Sequence, residues 1–261
     1  MSTNLRVGSI VQSLLATLLV CGLVACTSSD SGGTGGSGGA GGAGGAAGTT
    51  GNTGVLCPTL SASITDFDTA TAPDTTQVRF GGSGTQSGGA SVWGLTSAVE
   101  AGAWHLSGTV ADYAGFNVYF DNCSRWDASA YKGISFTLSG TAANAATPLS
   151  FAVTTVNDTT SAAWLISQND TTAKASDVGT CTPTSGNGKY YHPGCADPTI
   201  SITVPTTPTT ISVLWSDLSG GQPDASPKPN QITGIYANLP WTSGSASYAA
   251  DLTIDNLKFI Q

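Results

Sequence analysis

The sequence predicts an all-β protein over residues 57–261, in the form of an antiparallel β-sandwich. Strong helix formers are scarce, because charged residues make up only 9% of the chain and Glu occurs once, at Glu100. Short segments alternate apolar and polar residues, and Gly, Pro, Asn and Asp separate these segments about every dozen residues. Regularly spaced short strands of this kind are typical of a jelly roll.

The individual strands are predicted from alternation with a period of two residues. In "GISFTLSG", Ile134, Phe136 and Leu138 share one face, and Ser and Thr occupy the other. The same pattern recurs at residues 116–120, 149–153, 200–204 and 211–213. The last segment, residues 252–259, has apolar residues in both phases, which indicates either a bulge or a strand covered on both sides.

The N-terminal residues 1–25 are predicted to be a secretory signal peptide. Arg6 precedes an apolar run whose core, residues 14–25, is about half as long as a membrane-spanning helix. The alternative is a short membrane anchor, which this length disfavours.

A predicted lipid anchor and a tether follow the signal peptide. The sequence Leu-Val-Ala-Cys at residues 23–26 resembles the lipobox of bacterial lipoproteins, which implies acylation of Cys26 and firm membrane attachment once several acyl chains insert. Thr27 stands where an Asp is typical of retention in the inner membrane, so the expected location is the outer membrane or cell surface. Residues 26–56 are rich in Gly and Ser and predict a flexible linker with a reach of roughly 30 Å.

Four cysteines in the predicted domain indicate two disulfide bonds, because an exported chain meets an oxidising compartment. Three pairings are possible. The short loop between Cys181 and Cys195 favours that pair, and Cys57 with Cys123 then follows by elimination. The alternative, a metal site, is disfavoured because the spacings match no zinc pattern.

The composition disfavours several classes of function. The net charge of −8 and the few basic residues argue against a nucleic-acid partner. No serine is marked out as a nucleophile beside His105 or His192, and a glycosidase would need a carboxyl pair made mostly of Asp. Many Asp residues lie in turn-like sequences. The chain is therefore predicted to have no catalytic residues. It is also expected to be a monomer.

Aspartates near both ends of the domain suggest a calcium site. Asp66 and Asp68 share one face of the first strand, and Asp251 and Asp255 share one face of the last strand. First and last strands often pair in a sandwich, so these oxygen atoms can converge as calcium ligands. The alternative is four solvent-facing strand acids.

Aromatic residues are the other functional signal, because an exposed aromatic face is an apolar platform for the C–H face of a sugar ring. Trp104 and Trp215 are predicted to be buried, since they lie within strand alternation. Residues flanked by polar, Gly or Pro neighbours are the predicted ligand contacts, namely Trp164, Tyr190, Tyr191 and Trp241.

Several stretches, above all "DASAYKGISF" and the closing "IDNLKF", resemble the galactose-binding-like jelly rolls of carbohydrate-binding modules, especially the family-11-type β-glucan binders. The likeness covers most of residues 64–259. It implies a structural calcium held by Asp68 and Asp255 together with backbone carbonyls. It also implies a glycan chain on the concave face of one sheet, held by Tyr and Trp platforms.

The expected function is that of a non-catalytic carbohydrate-binding lipoprotein displayed at the bacterial cell envelope. One alternative is a structural or adhesive envelope protein that binds another protein, for which a flat apolar patch is expected in place of an aromatic groove. Another is a jelly-roll glycan hydrolase or lyase. His192 beside Tyr190 and Tyr191 is the cluster that favours this last alternative.

Overall fold

The computed structural model describes residues 53–57, 61–81, 88–120, 123–142, 148–185 and 192–261. These residues belong to one compact unit, Ala47–Gln261. The predicted signal peptide, Cys26, almost all of the linker, Tyr190 and Tyr191 lie outside the described residues. In the described part of the chain, no helix has the length and apolar character needed to cross a membrane.

Strands dominate the described residues, which contain a single short α-helix. The strands are β1 (Ser63–Thr65), β2 (Gln77–Phe80), β3 (Gly88–Trp93), β4 (Thr96–Glu100), β5 (Ala103–Val110), β6 (Gly115–Phe120), β7 (Gly133–Ala142), β8 (Leu149–Thr155), β9 (Thr199–Ile202), β10 (Thr209–Leu214), β11 (Ile232–Asn238) and β12 (Tyr248–Ile260). The helix α1 (Ala162–Ser167) lies between β8 and β9.

The strands form two antiparallel sheets, which confirms the predicted all-β sandwich of the jelly-roll type. The first sheet has the order β10-β7-β12-β5-β4, with β1 added beside β12. The second sheet has the order β2-β3-β6-β11-β8-β9. Most neighbours in these sheets are distant in sequence, so the fold depends on long-range pairing.

Aromatic contacts between the two sheets show where the core lies. Phe136 of β7 stacks on Phe151 of β8 with 5.4 Å between ring centroids. Trp104 of β5 meets Phe116 of β6 edge-on, also with 5.4 Å between centroids. All four side chains are buried, and their removal from water is a main source of stability. The polar phase of each strand therefore faces outward, on the outer surface of each sheet.

The last strand contains the bulge that its mixed apolar pattern allowed. The pairing of β12 with β7 shifts register between Asp255 and Lys258, and Asn256 has a φ of 51°. The shift turns Leu257 and Phe259 toward the core even though Leu252 and Ile254 are in the other phase. β1 pairs with β12, as expected for first and last strands.

Both predicted disulfide bonds are confirmed. Cys57 is bonded to Cys123 and ties the segment before β1 to the segment after β6. Cys181 is bonded to Cys195 and closes a loop in the connection between β8 and β9.

Three local features differ from the sequence-based expectation. β1 ends at Thr65, so Asp66 and Asp68 follow the strand and do not share one of its faces. β9 ends at Ile202, before the predicted end at residue 204. Helix α1 was not predicted, because its six residues are too few to show a helical repeat. The helix begins after Ser161, whose Oγ accepts a hydrogen bond of 3.3 Å from the backbone N–H of Trp164, the usual role of an N-cap serine.

Candidate functional site

The outer face of the first sheet carries small polar side chains and a charged cluster, in which His105 Nε2 lies 2.9 Å from Asp251 Oδ1. Among the described residues, its outward-facing strand positions carry no Trp, Tyr or Phe. Representative outward residues are Ser107 of β5, Thr137 and Ser139 of β7, Ser212 of β10 and Thr253 of β12. This face offers hydroxyl groups but no apolar platform.

The outer face of the second sheet is different, because three large aromatic side chains lie on it. They are Trp93 of β3, Tyr119 of β6 and Tyr236 of β11, and each is partly exposed. The strand neighbours of each one point into the core, as Val118 and Ile235 illustrate. We call this surface the aromatic face.

Two glycines allow aromatic rings to lie against the backbone of the next strand. Trp93 is paired in register with Gly115, and a Cβ at Gly115 would lie only 2.6 Å from Cζ2 of Trp93. Gly89 is paired with Tyr119, and a Cβ there would lie 2.8 Å from the Tyr119 hydroxyl. Any side chain at either glycine would displace the ring. Both rings are therefore held close to the sheet.

A row of polar groups separates the two rings. Ser91 is in register with Asn117, and Asn117 is in register with Tyr236, so the row crosses three adjacent strands. Ser91 Oγ donates a hydrogen bond to Asn117 Oδ1. Trp93 lies two residues from Ser91 at one side of the row, and Tyr119 lies two residues from Asn117 at the other side.

Arg79 of β2 adds a cation at one side of the aromatic face. Its guanidinium carbon lies 5.6 Å from the centroid of the Tyr119 ring, a cation–π distance. Arg79 is in register with Gly89, over which the Tyr119 hydroxyl lies. Its planar N–H groups can donate to ligand oxygens in fixed directions.

Tyr236 is oriented by a buried carboxyl group. Its hydroxyl donates a hydrogen bond of 3.2 Å to Asp197 Oδ2. Burial raises the pKa of Asp197 to about 6 and, with the nearby Asp197 charge, raises the pKa of Tyr236. Asp197 Oδ1 is also buried, with no hydrogen-bond partner among the described residues. At neutral pH this pair is a carboxylate and a neutral phenol, which fixes the position of the Tyr236 ring.

The two described aromatic residues predicted as ligand contacts lie in separate regions. Trp241 follows β11 and packs against Tyr113, with 4.9 Å between ring centroids. Trp164 lies on α1 and contacts the ring of His192, with 5.2 Å between centroids. The other two, Tyr190 and Tyr191, fall outside the described residues.

The two tryptophans predicted to be buried behave differently. Trp104 is fully buried, which confirms that prediction. Trp215 is only partly buried, and its indole N–H donates a hydrogen bond of 2.7 Å to the backbone carbonyl of Tyr131.

Asp68 and Asp255 lie at the junction where β1 and β5 meet β12. β12 pairs with β5 up to Ile254 and with β1 at Leu257 and Lys258, so Asp255 lies between these two pairings. A Cβ at Gly102, just before β5, would lie 2.3 Å from Asp68 Oδ1, which places the Asp68 carboxylate against the start of β5.

The side chains at this junction carry carboxylate oxygens, which are the kind of ligand that calcium binds. Asp255 accepts hydrogen bonds of 2.6 and 2.8 Å from the backbone N–H and the side-chain amide of Asn256, and each of its oxygens retains a lone pair. Within the described ranges, no group of three or more His, Cys, Asp or Glu side chains could hold a metal. Backbone carbonyls near the β12 bulge would have to supply further ligands.

Sequence reasoning missed Trp93, Tyr119 and Tyr236 as candidate ligand contacts. The signal was present for Tyr119, because "FNVYF" places it in the polar phase, opposite Phe116 and Val118. An aromatic residue in the polar phase of a strand faces outward, and this rule identifies all three residues.

Comparison with known proteins gives structural matches only. No protein-family model matches the chain, and no curated protein matches it in sequence. The chain is similar to a family 11 carbohydrate-binding module of a cellulosomal cellulase of Clostridium thermocellum, with 16% identity over 73% of this chain and 94% of that module, and a TM-score of 0.39.

Two further solved structures are similar. One is a family 11 module from Clostridium thermocellum in complex with a β-1,3-1,4-mixed-linked tetrasaccharide, with 17% identity, coverage of 76% of this chain and 94% of that one, and a TM-score of 0.40. The other is an agarase, with 10% identity, coverage of 77% and 26%, and a TM-score of 0.43. The resemblance to family 11 modules expected from the sequence is thus found again among solved structures.

Proposed function

We propose that the protein binds a polysaccharide chain on the aromatic face and does not cleave it. The observation that carries this proposal is the placement of Trp93 and Tyr119 on either side of the polar row that contains Ser91 and Asn117. Sugar rings present apolar C–H faces and polar hydroxyl edges, and this surface offers partners for both.

The spacing of the two rings favours an extended ligand. Because Ser91 opposes Asn117, Trp93 and Tyr119 are offset by four residues along the strand direction, which is about 13 Å. One sugar ring is too small to contact both side chains, whereas a chain of several rings can do so. The platforms are also held in place before binding, by Gly89, Gly115 and the hydrogen bond from Tyr236 to Asp197, which lowers the entropic cost of association.

The carboxyl groups near this face support binding without catalysis. Hydrolysis of a glycosidic bond ordinarily uses two carboxyl groups about 5–10 Å apart, both open to the substrate. Asp197 is bound to the Tyr236 hydroxyl. Its neighbour Asp158 is 3% exposed and accepts a hydrogen bond of 2.7 Å from Thr155 Oγ1. Neither carboxyl group is arranged as an open acid–base pair.

The proposal is tested by electrophoresis of the purified protein through gels that contain neutral polysaccharides such as mixed-linked β-glucan, xylan, mannan or agarose. At least one polysaccharide is expected to retard migration, and calorimetry with its oligosaccharides is expected to show affinity that rises with chain length until both rings are covered. Unretarded migration in every gel would contradict the proposal. So would release of reducing ends from the bound polymer.

We further propose that this domain is displayed on a lipid anchor at the outer membrane or cell surface. The lipobox-like sequence ending at Cys26 and the Gly- and Ser-rich residues that follow support this location. A tether with a reach of roughly 30 Å lets the aromatic face meet a polymer that is not at the membrane surface. The mass of the N-terminal peptide of the mature protein would reveal acyl chains directly.

Calcium is proposed as a structural ligand of Asp68 and Asp255, which is supported by the Asp68 carboxylate beside Gly102 at the start of β5 and by the position of Asp255 on β12 just past its pairing with β5. A bound ion would join β1 and β5 to the β12 bulge and stabilise the folded state. Its contribution is separate from contact with the glycan.

Calcium at a concentration about 100-fold above its dissociation constant is expected to stabilise the fold by about 2.7 kcal/mol. For a domain of this size, this raises the melting temperature by about 5–11 °C. Asp255→Asn is expected to remove the increase, and Asp251→Asn, on the same strand, is expected to retain it. A melting curve that is unchanged by a chelator would contradict the calcium site.

A further inference from the structure

A surface cavity lies in the connection between β8 and β9, apart from the aromatic face. It encloses about 210 Å³. Its lining includes Trp164, Gln168, Asn169, Thr171 and His192. The aromatic face does not account for this cavity, because none of these side chains belongs to a strand.

A helix N-cap and a disulfide bond hold the cavity walls in place. The N-cap bond of Ser161 fixes the start of α1 and with it Trp164. The Cys181–Cys195 disulfide closes the loop that carries His192, and the backbone N–H of Ser161 donates a hydrogen bond of 2.8 Å to the Cys181 carbonyl. Helix and loop are thereby linked, and the Trp164 and His192 rings meet at 76°.

His192 is a wall of the cavity whose two ring nitrogens face the protein. Its Nδ1 lies 3.0 Å from Thr160 Oγ1, at hydrogen-bond distance. Its Nε2 is enclosed by the protein, and no described residue hydrogen-bonds to it. Because Nε2 is enclosed, a ligand in the cavity meets the imidazole by packing against the ring, beside Trp164.

The chemistry of the lining selects a small, neutral, hydroxyl-rich ligand. The indole of Trp164 is an apolar wall, and the amides of Gln168 and Asn169 with the hydroxyl of Thr171 supply donors and acceptors. The described lining contains no Lys or Arg to bind an anion. The carboxylate of Asp170 accepts hydrogen bonds from the backbone N–H and hydroxyl of Thr172, so its charge is stabilised locally.

The size of the cavity limits the ligand to one ring. Sites for drug-sized ligands enclose about 300–1,000 Å³, and this cavity is smaller. A single sugar ring with about a dozen heavy atoms is of this scale, and at about 0.3 kcal/mol per heavy atom its expected affinity is roughly millimolar.

We propose that this cavity is a second carbohydrate site that binds one sugar ring, with a C–H face of the ring on Trp164 and its hydroxyls on the polar groups of Gln168, Asn169 and Thr171. The ring is a free monosaccharide or the terminal unit of a chain. β8 and β9 lie at one edge of the second sheet, so the site sits at the edge of the sheet that carries the aromatic face. The proposal does not depend on polysaccharide binding by that face.

The test follows the indole N–H signals of ¹⁵N-labelled protein during titration with glucose, galactose, mannose and xylose, and with a trisaccharide of each. The Trp164 signal is expected to shift and saturate with at least one sugar, with a dissociation constant of about 1 mM. A trisaccharide that binds at least as tightly identifies the ligand as a chain end. Binding of the monosaccharide alone identifies a free sugar.

Matched variants separate this site from the aromatic face. Gln168→Ala and His192→Gln both keep the Trp164 signal and are each expected to weaken the titration at least about tenfold. Ile166→Ala, on the same helix but 47% exposed and outside the lining, is expected to leave it unchanged. The Trp93→Ala/Tyr119→Ala protein is also expected to retain it. No saturating shift with any sugar, or saturation that persists in both cavity variants, would overturn the proposal.

Discussion

Replacement of Trp93 and Tyr119 together by alanine is expected to weaken polysaccharide binding by roughly a hundred- to a thousandfold. An aromatic anchor at the centre of a binding surface is typically worth about 2 kcal/mol, and about 1.4 kcal/mol corresponds to a factor of ten in affinity. The two side chains lie four residues apart along the strand direction, so their contributions are expected to add. Calorimetry and affinity electrophoresis measure the loss.

The matched control is Thr137→Ala/Thr253→Ala, which removes two outward side chains from the first sheet. This protein should bind polysaccharide as the wild type does, because the face concerned has no aromatic platform. Both double variants are expected to remain folded, since all four positions are only partly buried, and melting curves check this. Equal binding by the aromatic double variant and the wild type would show that the glycan lies elsewhere.

The strands could be predicted because alternation is a local property. The alternation within "GISFTLSG" predicts which of its side chains are buried. Ile134, Phe136 and Leu138 are in the core, as predicted. The Cys181–Cys195 bond could be predicted for a similar reason, since a short loop brings two thiols together at low entropic cost. The bulge in β12 was visible as a change of phase in one short segment.

The aromatic face depends on information that no single segment contains. Trp93 is a platform only because Gly115 faces it from β6, and Tyr119 only because Gly89 faces it from β3. These pairings follow from the register between strands more than twenty residues apart in the chain. Tyr236 joins the same row through the pairing of β11 with β6, across an even longer separation.

The cavity at Trp164 could not be predicted from the sequence for a different reason. Flanking polar residues correctly marked Trp164 as a side chain outside the core, and it is partly exposed. Its partner His192 lies 28 positions away in the chain and reaches it through a loop that the Cys181–Cys195 bond closes. Strand alternation does not predict a contact made through such a loop. Helix α1 is also too short to be predicted from helical periodicity.

Loss of the Cys57–Cys123 disulfide is expected to cost more stability than loss of the Cys181–Cys195 disulfide. The first bond joins residues 66 positions apart and the second joins residues 14 apart. Loop-closure entropy then predicts destabilisation of about 4 kcal/mol for Cys57→Ala/Cys123→Ala and about 3 kcal/mol for Cys181→Ala/Cys195→Ala. For a domain of this size these values correspond to decreases in melting temperature of about 8–16 °C and 6–12 °C.

Urea denaturation of the two double variants, compared with the wild type, measures both free energies. Local structure should survive the first change, because the backbone N–H groups of Ser124 and Arg125 also donate to the Val55 carbonyl, at 2.8 and 3.2 Å. Polysaccharide binding at the aromatic face should be unaffected in both variants. The Cys181→Ala/Cys195→Ala change should in addition release the loop that carries His192 and weaken sugar binding at the Trp164 cavity. A smaller loss of stability for the Cys57→Ala/Cys123→Ala protein than for the Cys181→Ala/Cys195→Ala protein would contradict the closure argument, because Cys57 and Cys181 are equally buried and lost packing does not separate the two variants.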